Sequence, residues 1–149
     1  MNFHVLMLVF SGLLLGADKA KHDGMADHKK IQGTWALTTA KDSGKDQVKG
    51  IEHFKLIVTA NHFRLEFQDK VLQKFTYQLN PSKQPKWIDV TEIVDGKAQD
   101  PARGIYELKG DTLKICFPEF RRKDSRSTAF ESKRDSVNDV LLIGKRENA

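Results

Sequence analysis

The one cysteine of the chain, Cys116, is the only side chain that could serve as a thiol nucleophile. A nucleophilic cysteine needs a lowered pKa and a base within reach, and the sequence around Cys116 indicates neither. Cys116 lies between Ile115 and Phe117 in a predicted strand, so it faces the opposite side from them and shares a face with Lys114 and Thr112. We therefore expect a small packed or half-exposed thiol, not a catalytic residue.

Histidines and carboxylates are the groups that could hold a metal ion or transfer protons. No two of the histidines are spaced to present both imidazoles on one strand face; they are His4, His22, His28, His53 and His62. The carboxylates of the chain body are dispersed, at Glu66, Asp89, Glu92, Glu107, Asp111, Glu119 and Glu131. Asp89 and Glu107 could meet inside a barrel and do acid–base work, but pairing with surface lysines is the default. We expect no catalytic residue, no metal, no cofactor and no enzymatic activity.

A basic cluster, Arg121, Arg122 and Lys123 with Arg126, stands beside Phe120. Nucleic-acid sites use this mixture of charge and aromatic surface. The cluster is a single loop, however, and no aromatic strand interleaved with lysine and arginine accompanies it. We expect a solvated loop, with contact to an anionic envelope surface (lipid or polysaccharide) as the alternative, and no nucleic acid as a partner.

Length and composition indicate one ordinary domain. The chain has 149 residues, of which 39% are hydrophobic and 30% charged, so it is long enough for a core without disulfides or a structural metal. A single cysteine also excludes an internal disulfide. The net charge of +5 is a mild bias toward anionic surfaces.

Residues 1–17 contain no Lys, Arg, Asp or Glu, and the apolar stretch 5–15 is followed by the small residues Gly16 and Ala17. This pattern is typical of a secretory signal peptide. The alternatives are a membrane anchor or a buried strand or helix, but the stretch is shorter than the roughly 20 residues that a membrane helix needs. We expect export to the periplasm or the extracellular space after cleavage, with no transmembrane span in the mature protein. Residues 18–30 are expected to form a flexible lead-in, either a solvated tether or a short helix, in which His22 and His28 match no metal-ligand pattern.

From Ile31 onward the apolar residues alternate in short runs separated by Gly, Asn, Asp and Pro, which predicts strands. The predicted strands are 35–39, 54–59, 63–68, 71–79, 87–94, 104–108, 112–117 and 140–145, with a possible turn of helix within 41–50 and a short strand at 128–132. With short turns and no helices between them, these strands predict an all-β antiparallel meander. About eight such strands can close into a barrel over residues 31–147, which removes both exposed edges.

Seven aromatic residues are predicted to line the interior of this barrel: Phe54, Phe63, Phe67, Phe75, Tyr77, Tyr106 and Phe117. An eight-stranded barrel is just wide enough either to be filled by side chains or to hold one small ligand. Large residues at so many inward positions favour a filled or narrow interior, and both alternatives stay open.

Two features resemble the signature of lipocalin-type (calycin-type) barrels, which is a Gly-x-Trp motif in the first strand and a basic residue in the last strand. They are Gly33-Thr34-Trp35 at the first predicted strand and Arg146 near the end of the last one. The resemblance implies that Trp35 packs at the closed end of the barrel under the Arg146 guanidinium. The chain more specifically resembles a family of exported lipocalin-like domains of the planctomycete type, uncharacterised in function, through segments 31–35, 79–89, 104–117 (GIYELKGDTLKICF) and 140–146. That family implies no catalytic residues.

The leading hypothesis is an exported, monomeric, non-catalytic lipocalin-like barrel that binds a small apolar or amphipathic molecule in its interior or mouth. The alternative is a filled-core barrel that acts as a protein-interaction or envelope-associated module through its basic loops. An enzyme is the third and least favoured reading.

Overall fold

A computed structural model of the protein describes residues 15–46, 49–118, 125–132 and 139–148. Within these residues, helix α1 precedes ten strands, and one 3₁₀ turn lies between the second and third of them. The bounds are α1 Leu15–Lys30, β1 Gly33–Asp42, β2 Lys45–Asp46, the 3₁₀ turn Ile51–His53, β3 Phe54–Val58, β4 His62–Phe67, β5 Lys70–Asn80, β6 Lys86–Val94, β7 Lys97–Ala98, β8 Ala102–Lys109, β9 Thr112–Pro118 and β10 Asp139–Arg146.

Eight strands form a closed antiparallel barrel. They pair in the order β1, β3, β4, β5, β6, β8, β9, β10, and β10 pairs back with β1, with Trp35 opposite Arg146. The two remaining strands are short additions, since β2 pairs with β1 and β7 with β6. The predicted meander barrel is thus confirmed, and closure leaves its eight principal strands with neighbours on both sides.

Alternation along the strands separates an inner core from a smaller outer cluster. In β9, Leu113, Ile115 and Phe117 belong to the inner core, whereas Cys116 lies on the outer face. Cys116 packs there with Ile105 and Leu141, and the outer cluster is completed by the partly buried side chains of Trp87, Phe130 and Ile143.

The lead-in, for which a tether and a short helix were the alternatives, lies within α1. The helix closes one end of the barrel: Ile31 just after it is buried in the inner core, and the His28 ring stacks on Tyr77 with 5.8 Å between centroids. Residues 1–14 of the predicted signal peptide lie outside the described residues. Within the described part of the chain, no helix has the length and apolar character needed to cross a membrane.

Two local predictions differ from the structure. Residues 128–132 form no strand, because β9 and β10 pair directly with each other and leave no free edge there. Residues 125–132 instead lie against the outside of the barrel, where the Ser127 amide donates to the Arg103 carbonyl at 3.1 Å. The turn of helix expected within 41–50 follows that stretch, at Ile51–His53, because Ser43 and Gly44 adopt positive φ and form the tight β1–β2 turn.

Candidate functional site

The end of the barrel next to α1, called the closed end below, is built on Trp35 and Arg146. Trp35 is fully buried, its indole N–H donates to the Ile31 carbonyl at 2.9 Å, and the Arg146 guanidinium lies 4.2 Å from its ring centroid. Arg146 also donates to the backbone carbonyls of Gln32, at 2.8 Å, and of Lys30. Gly33 has φ +135°, and a Cβ there would lie 2.7 Å from Arg146 Nη1, so this position requires glycine. The three signature residues named from the sequence thus come together at the closed end.

A buried polar cluster that sequence reasoning missed joins α1 to the barrel. Asp27 is only 7% exposed, and its carboxylate accepts hydrogen bonds from Lys86 Nζ and from the Tyr106 hydroxyl, both at 2.7 Å. Burial, and then the hydrogen bond to Asp27 and its negative charge, raise the pKa of Tyr106. Asp27 is separated in sequence from these partners by 59 and 79 residues, so only the fold reveals the cluster.

Aromatic side chains fill the middle of the barrel. The Phe63 and Phe75 rings stack with 4.6 Å between centroids, and Tyr77 lies 6.1 Å from Phe63. The Tyr77 hydroxyl donates to the Thr59 carbonyl at 2.7 Å, and burial raises its pKa. Trp35 and Tyr106, which donate to Ile31 and to Asp27 of α1, fill the part of the interior nearer to that helix.

A cavity of about 430 Å³ occupies the other half. Its wall is almost entirely apolar and comes from β1, β3, β4, β5, β9 and β10: Leu37, Ala40, Phe54, Leu56, Phe63, Leu65, Phe75, Phe117, Val140 and Leu142. Three polar residues, Lys41, Asp42 and Gln73, complete the lining. Lys41 and Asp42 are the last residues of β1, so the cavity reaches the rim of the barrel at the end opposite α1, called the open end below.

Four of the seven aromatic residues predicted for the interior line this cavity: Phe54, Phe63, Phe75 and Phe117. Tyr77 and Tyr106 belong to the inner core but lie toward the closed end. Phe67 is not part of the cavity wall. It ends β4 opposite Phe54, and its half-buried ring packs on the Phe54 ring at 4.7 Å.

The barrel wall opens beside Gln73. Pairing of β5 with β6 begins at Phe75 opposite Glu92, and β6 beyond that point pairs with β7. Residues 70–74 therefore have no strand partner on the β6 side among the described residues. Val71, Leu72 and Val94 are exposed in this region, and the Gln73 amide donates to Glu92 Oε1 across the gap at 3.3 Å. The gap lies beside Gln73, which also lines the cavity.

The residues weighed for catalysis lie apart from the cavity. Asp89 pairs with Arg126 at 2.8 Å and Glu107 with Lys114 at 3.2 Å, both on the outer face of the barrel, so they do not meet in the interior. Burial, followed by the charge of Asp139, raises the pKa of the Cys116 thiol to about 11, the opposite of what a nucleophile requires. Within the described ranges, no three His, Cys, Asp or Glu side chains cluster as metal ligands.

The basic cluster divides between the described and undescribed parts of the chain. Phe120, Arg121, Arg122 and Lys123 lie outside the described residues. The expectation of a solvated loop is wrong for Arg126, because its side chain is only 17% exposed. It lies 4.0 Å from the Trp87 ring centroid and donates to the Gly104 carbonyl at 2.7 Å. Arg126 therefore holds the outer segment 125–132 against the barrel.

No protein-family model, curated protein or solved structure shows a significant match to the chain. The chemistry available to the barrel therefore follows from its geometry. That geometry combines a filled closed end with an apolar chamber that reaches the open end, and small-molecule sites are concave chambers of this kind with a few polar groups.

Proposed function

We propose that this protein binds a small apolar or amphipathic molecule in the cavity at the open end of its barrel, without catalysing a reaction on it. The observation that carries the proposal is the apolar chamber of about 430 Å³. Ligand pockets typically measure about 300–1,000 Å³ and are lined mainly by hydrophobic and aromatic side chains. Transfer of an apolar group from water into such a chamber is favourable, and the three polar residues of the lining suit the polar end of an amphipathic molecule.

We also propose that the protein is exported, that it is a monomer, and that it is related to the lipocalin-like domains that its sequence resembles. The apolar stretch 5–15, within residues 1–17 that contain no Lys, Arg, Asp or Glu, supports export. The arrangement of Gly33, Trp35 and Arg146 at the closed end supports the lipocalin-like relationship. Expression of the full chain in a bacterium, followed by N-terminal sequencing of the exported product, tests the first part. A mature chain that begins at Asp18 supports it, and retention of the uncleaved chain in the cytoplasm contradicts it.

A second candidate function is an interaction module that contacts another protein or the cell envelope through the open end and its basic loops. The exposed apolar side chains of Val71, Leu72 and Val94 favour this candidate, because large apolar side chains exposed together mark contact sites. It differs from the first proposal in needing no occupant in the cavity. Substitution of Val71 and Leu72 by Ser would weaken such an interaction while leaving a ligand in the chamber.

The test of the ligand-binding proposal is native mass spectrometry of the protein purified from its own source. We expect a mass above that of the polypeptide, and release of a small apolar or amphipathic molecule when the protein is denatured. The chain produced in a heterologous host and washed with organic solvent is the control, and it should take up the neutral fluorescent probe N-phenyl-1-naphthylamine. A bare polypeptide mass together with no uptake of the probe would contradict the proposal.

A further inference from the structure

We infer that the molecule held in the cavity carries a cationic polar end, an amine, and that Asp42 binds it. This inference rests on the proposed function, because it concerns the polar end of the same ligand. Asp42 is a half-buried carboxylate at the junction between the apolar wall and the rim. Its position there follows from an irregularity in β1.

The β1–β10 register places Asp42 on the inner face of the barrel. Strict alternation from Trp35 and Leu37 would turn Thr39 and Lys41 inward, but the register shifts between Leu37 and Thr39. After this bulge, Ala40 pairs with Leu142 and Asp42 with Val140, while Lys41 pairs with Leu141. Residues directly opposite in an antiparallel pair share a face. Leu142 and Val140 line the cavity, so Asp42 shares their face. Lys41 touches the cavity at the rim, but it is opposite Leu141 and its ammonium pairs with Asp46, so its side chain belongs to the outer face.

The charges around the rim leave the Asp42 carboxylate available. Lys41 already pairs with Asp46 at 3.5 Å on the outer side of the β1–β2 hairpin. Lys45 is opposite Asp42 in β2 and therefore shares its face, but Lys45 is exposed and forms no ion pair with Asp42. In the described part of the chain, no ion pair includes Asp42, which accepts one hydrogen bond, from the Ser43 hydroxyl at 2.9 Å.

An ammonium group is the ligand end that best satisfies this arrangement. It would donate a charge-assisted hydrogen bond to the Asp42 carboxylate, about twice as strong as a neutral one, and the Gln73 carbonyl oxygen offers a second acceptor on the same cavity lining. A carboxylate-headed ligand would instead place a second negative charge beside Asp42, which is unfavourable. The alkyl or aromatic body would lie on the Phe54, Phe75 and Phe117 side of the chamber.

Isothermal titration with octylamine, octanol and octanoate, each below its aggregation limit at neutral pH, tests the inference. We expect octylamine to bind about tenfold or more tightly than octanol, as one charge-assisted hydrogen bond implies, and octanoate to bind most weakly. In D42N this preference for octylamine over octanol should disappear. D46N, which removes an exposed carboxylate from the outer side of the same hairpin, is the matched control and should keep the preference.

The outcomes separate the two proposals. If octanol or octanoate binds as tightly as octylamine, or if D42N keeps the preference, the inference about the amine is overturned while binding in the cavity stands. If none of the three compounds binds to the wild-type protein, both the inference and the proposed function fail. The comparison among ligands needs only the wild-type chain, so the test holds even if D42N is poorly folded.

Discussion

The guanidinium of Arg146 lies 4.2 Å from the centroid of the Trp35 ring and joins the first strand of the barrel to the last. The two residues are directly opposite in the β1–β10 pairing, which closes the sheet. Arg146 also donates to the carbonyls of Lys30 and Gln32, so the same side chain holds the connection from α1 into β1. Closure of the barrel and docking of the helix therefore share one contact.

Trp35→Ala should lower the free energy of unfolding by about 3–5 kcal/mol, because it removes a fully buried aromatic side chain and leaves a cavity at the closed end. Urea unfolding followed by circular dichroism measures the change. Trp87→Ala is the control, since Trp87 is half-buried on the outer face and its loss should cost less. An unfolding midpoint that hardly moves in Trp35→Ala would show that this residue does not hold the closed end together.

Arg146→Met should lower the free energy of unfolding by about 1.5–3 kcal/mol, because it removes the cationic donor of two hydrogen bonds while retaining an apolar stem over the indole. Lys145→Met changes the adjacent exposed residue and should stay within about 0.5 kcal/mol. Chemical denaturation of the two variants gives the comparison. Equal losses in both would mean that the guanidinium contributes nothing specific.

Asp27→Asn should destabilise the protein by about 1–3 kcal/mol, because Lys86 and the Tyr106 hydroxyl both donate to one carboxylate oxygen, and the neutral amide lacks the negative charge that strengthens these two buried hydrogen bonds. Asp23→Asn is the matched control on the exposed side of α1 and should have little effect. A double-mutant cycle with Tyr106→Phe should give a coupling of about 0.5 kcal/mol or more. Strict additivity of the two changes would contradict the contact.

Stability should fall as the pH rises above about 9. The native pKa of Cys116, about 11, is above its ordinary 9.0, so the unfolded chain loses this proton first and alkaline pH favours unfolding. The loss accumulates between pH 9.0 and about 11. The raised pKa of Tyr106 lowers the stability in the same way once the pH exceeds 10.0, the ordinary pKa of a tyrosine.

Cys116→Ala isolates the thiol's share of this slope. The difference in unfolding free energy between wild type and Cys116→Ala should shrink as the pH is raised through that window, as measured by urea titrations at several pH values. The native thiol should also react slowly with a disulfide reagent near neutral pH and rapidly in denaturant. A difference that does not depend on pH would show that the thiol has the same pKa in both states.

The sequence predicts the architecture well because hydrophobic alternation and short turns are local signals. Leu113, Ile115 and Phe117 face inward as their spacing indicates, and the chain holds enough strands to close. The polar cluster at Asp27 was not predictable, because its partners are brought to it by the barrel itself.

The cavity was only partly predictable for a different physical reason. One extra residue in β1, at the bulge between Leu37 and Thr39, reverses the faces of the residues that follow it. Ala40 and Asp42 thereby line the chamber, and alternation read from Trp35 would not find them. Phe67 fits the inward pattern but ends its strand at the rim. Whether the interior is filled or hollow depends on how such side chains meet across the barrel, which spacing within single strands does not encode.

Filling the cavity is the most direct test of the account. Ala40 lines the chamber, and Ala40→Phe should abolish binding of N-phenyl-1-naphthylamine, measured by fluorescence titration, because the new ring occupies the space that the probe needs. Ala36 is on the outer face of the same strand, opposite Lys145, so Ala36→Phe is the matched control. We predict that Ala36→Phe binds the probe as the wild type does and that Ala40→Phe, shown by circular dichroism to be folded, does not. Undiminished binding by a folded Ala40→Phe variant would contradict the claim that the ligand lies inside the barrel.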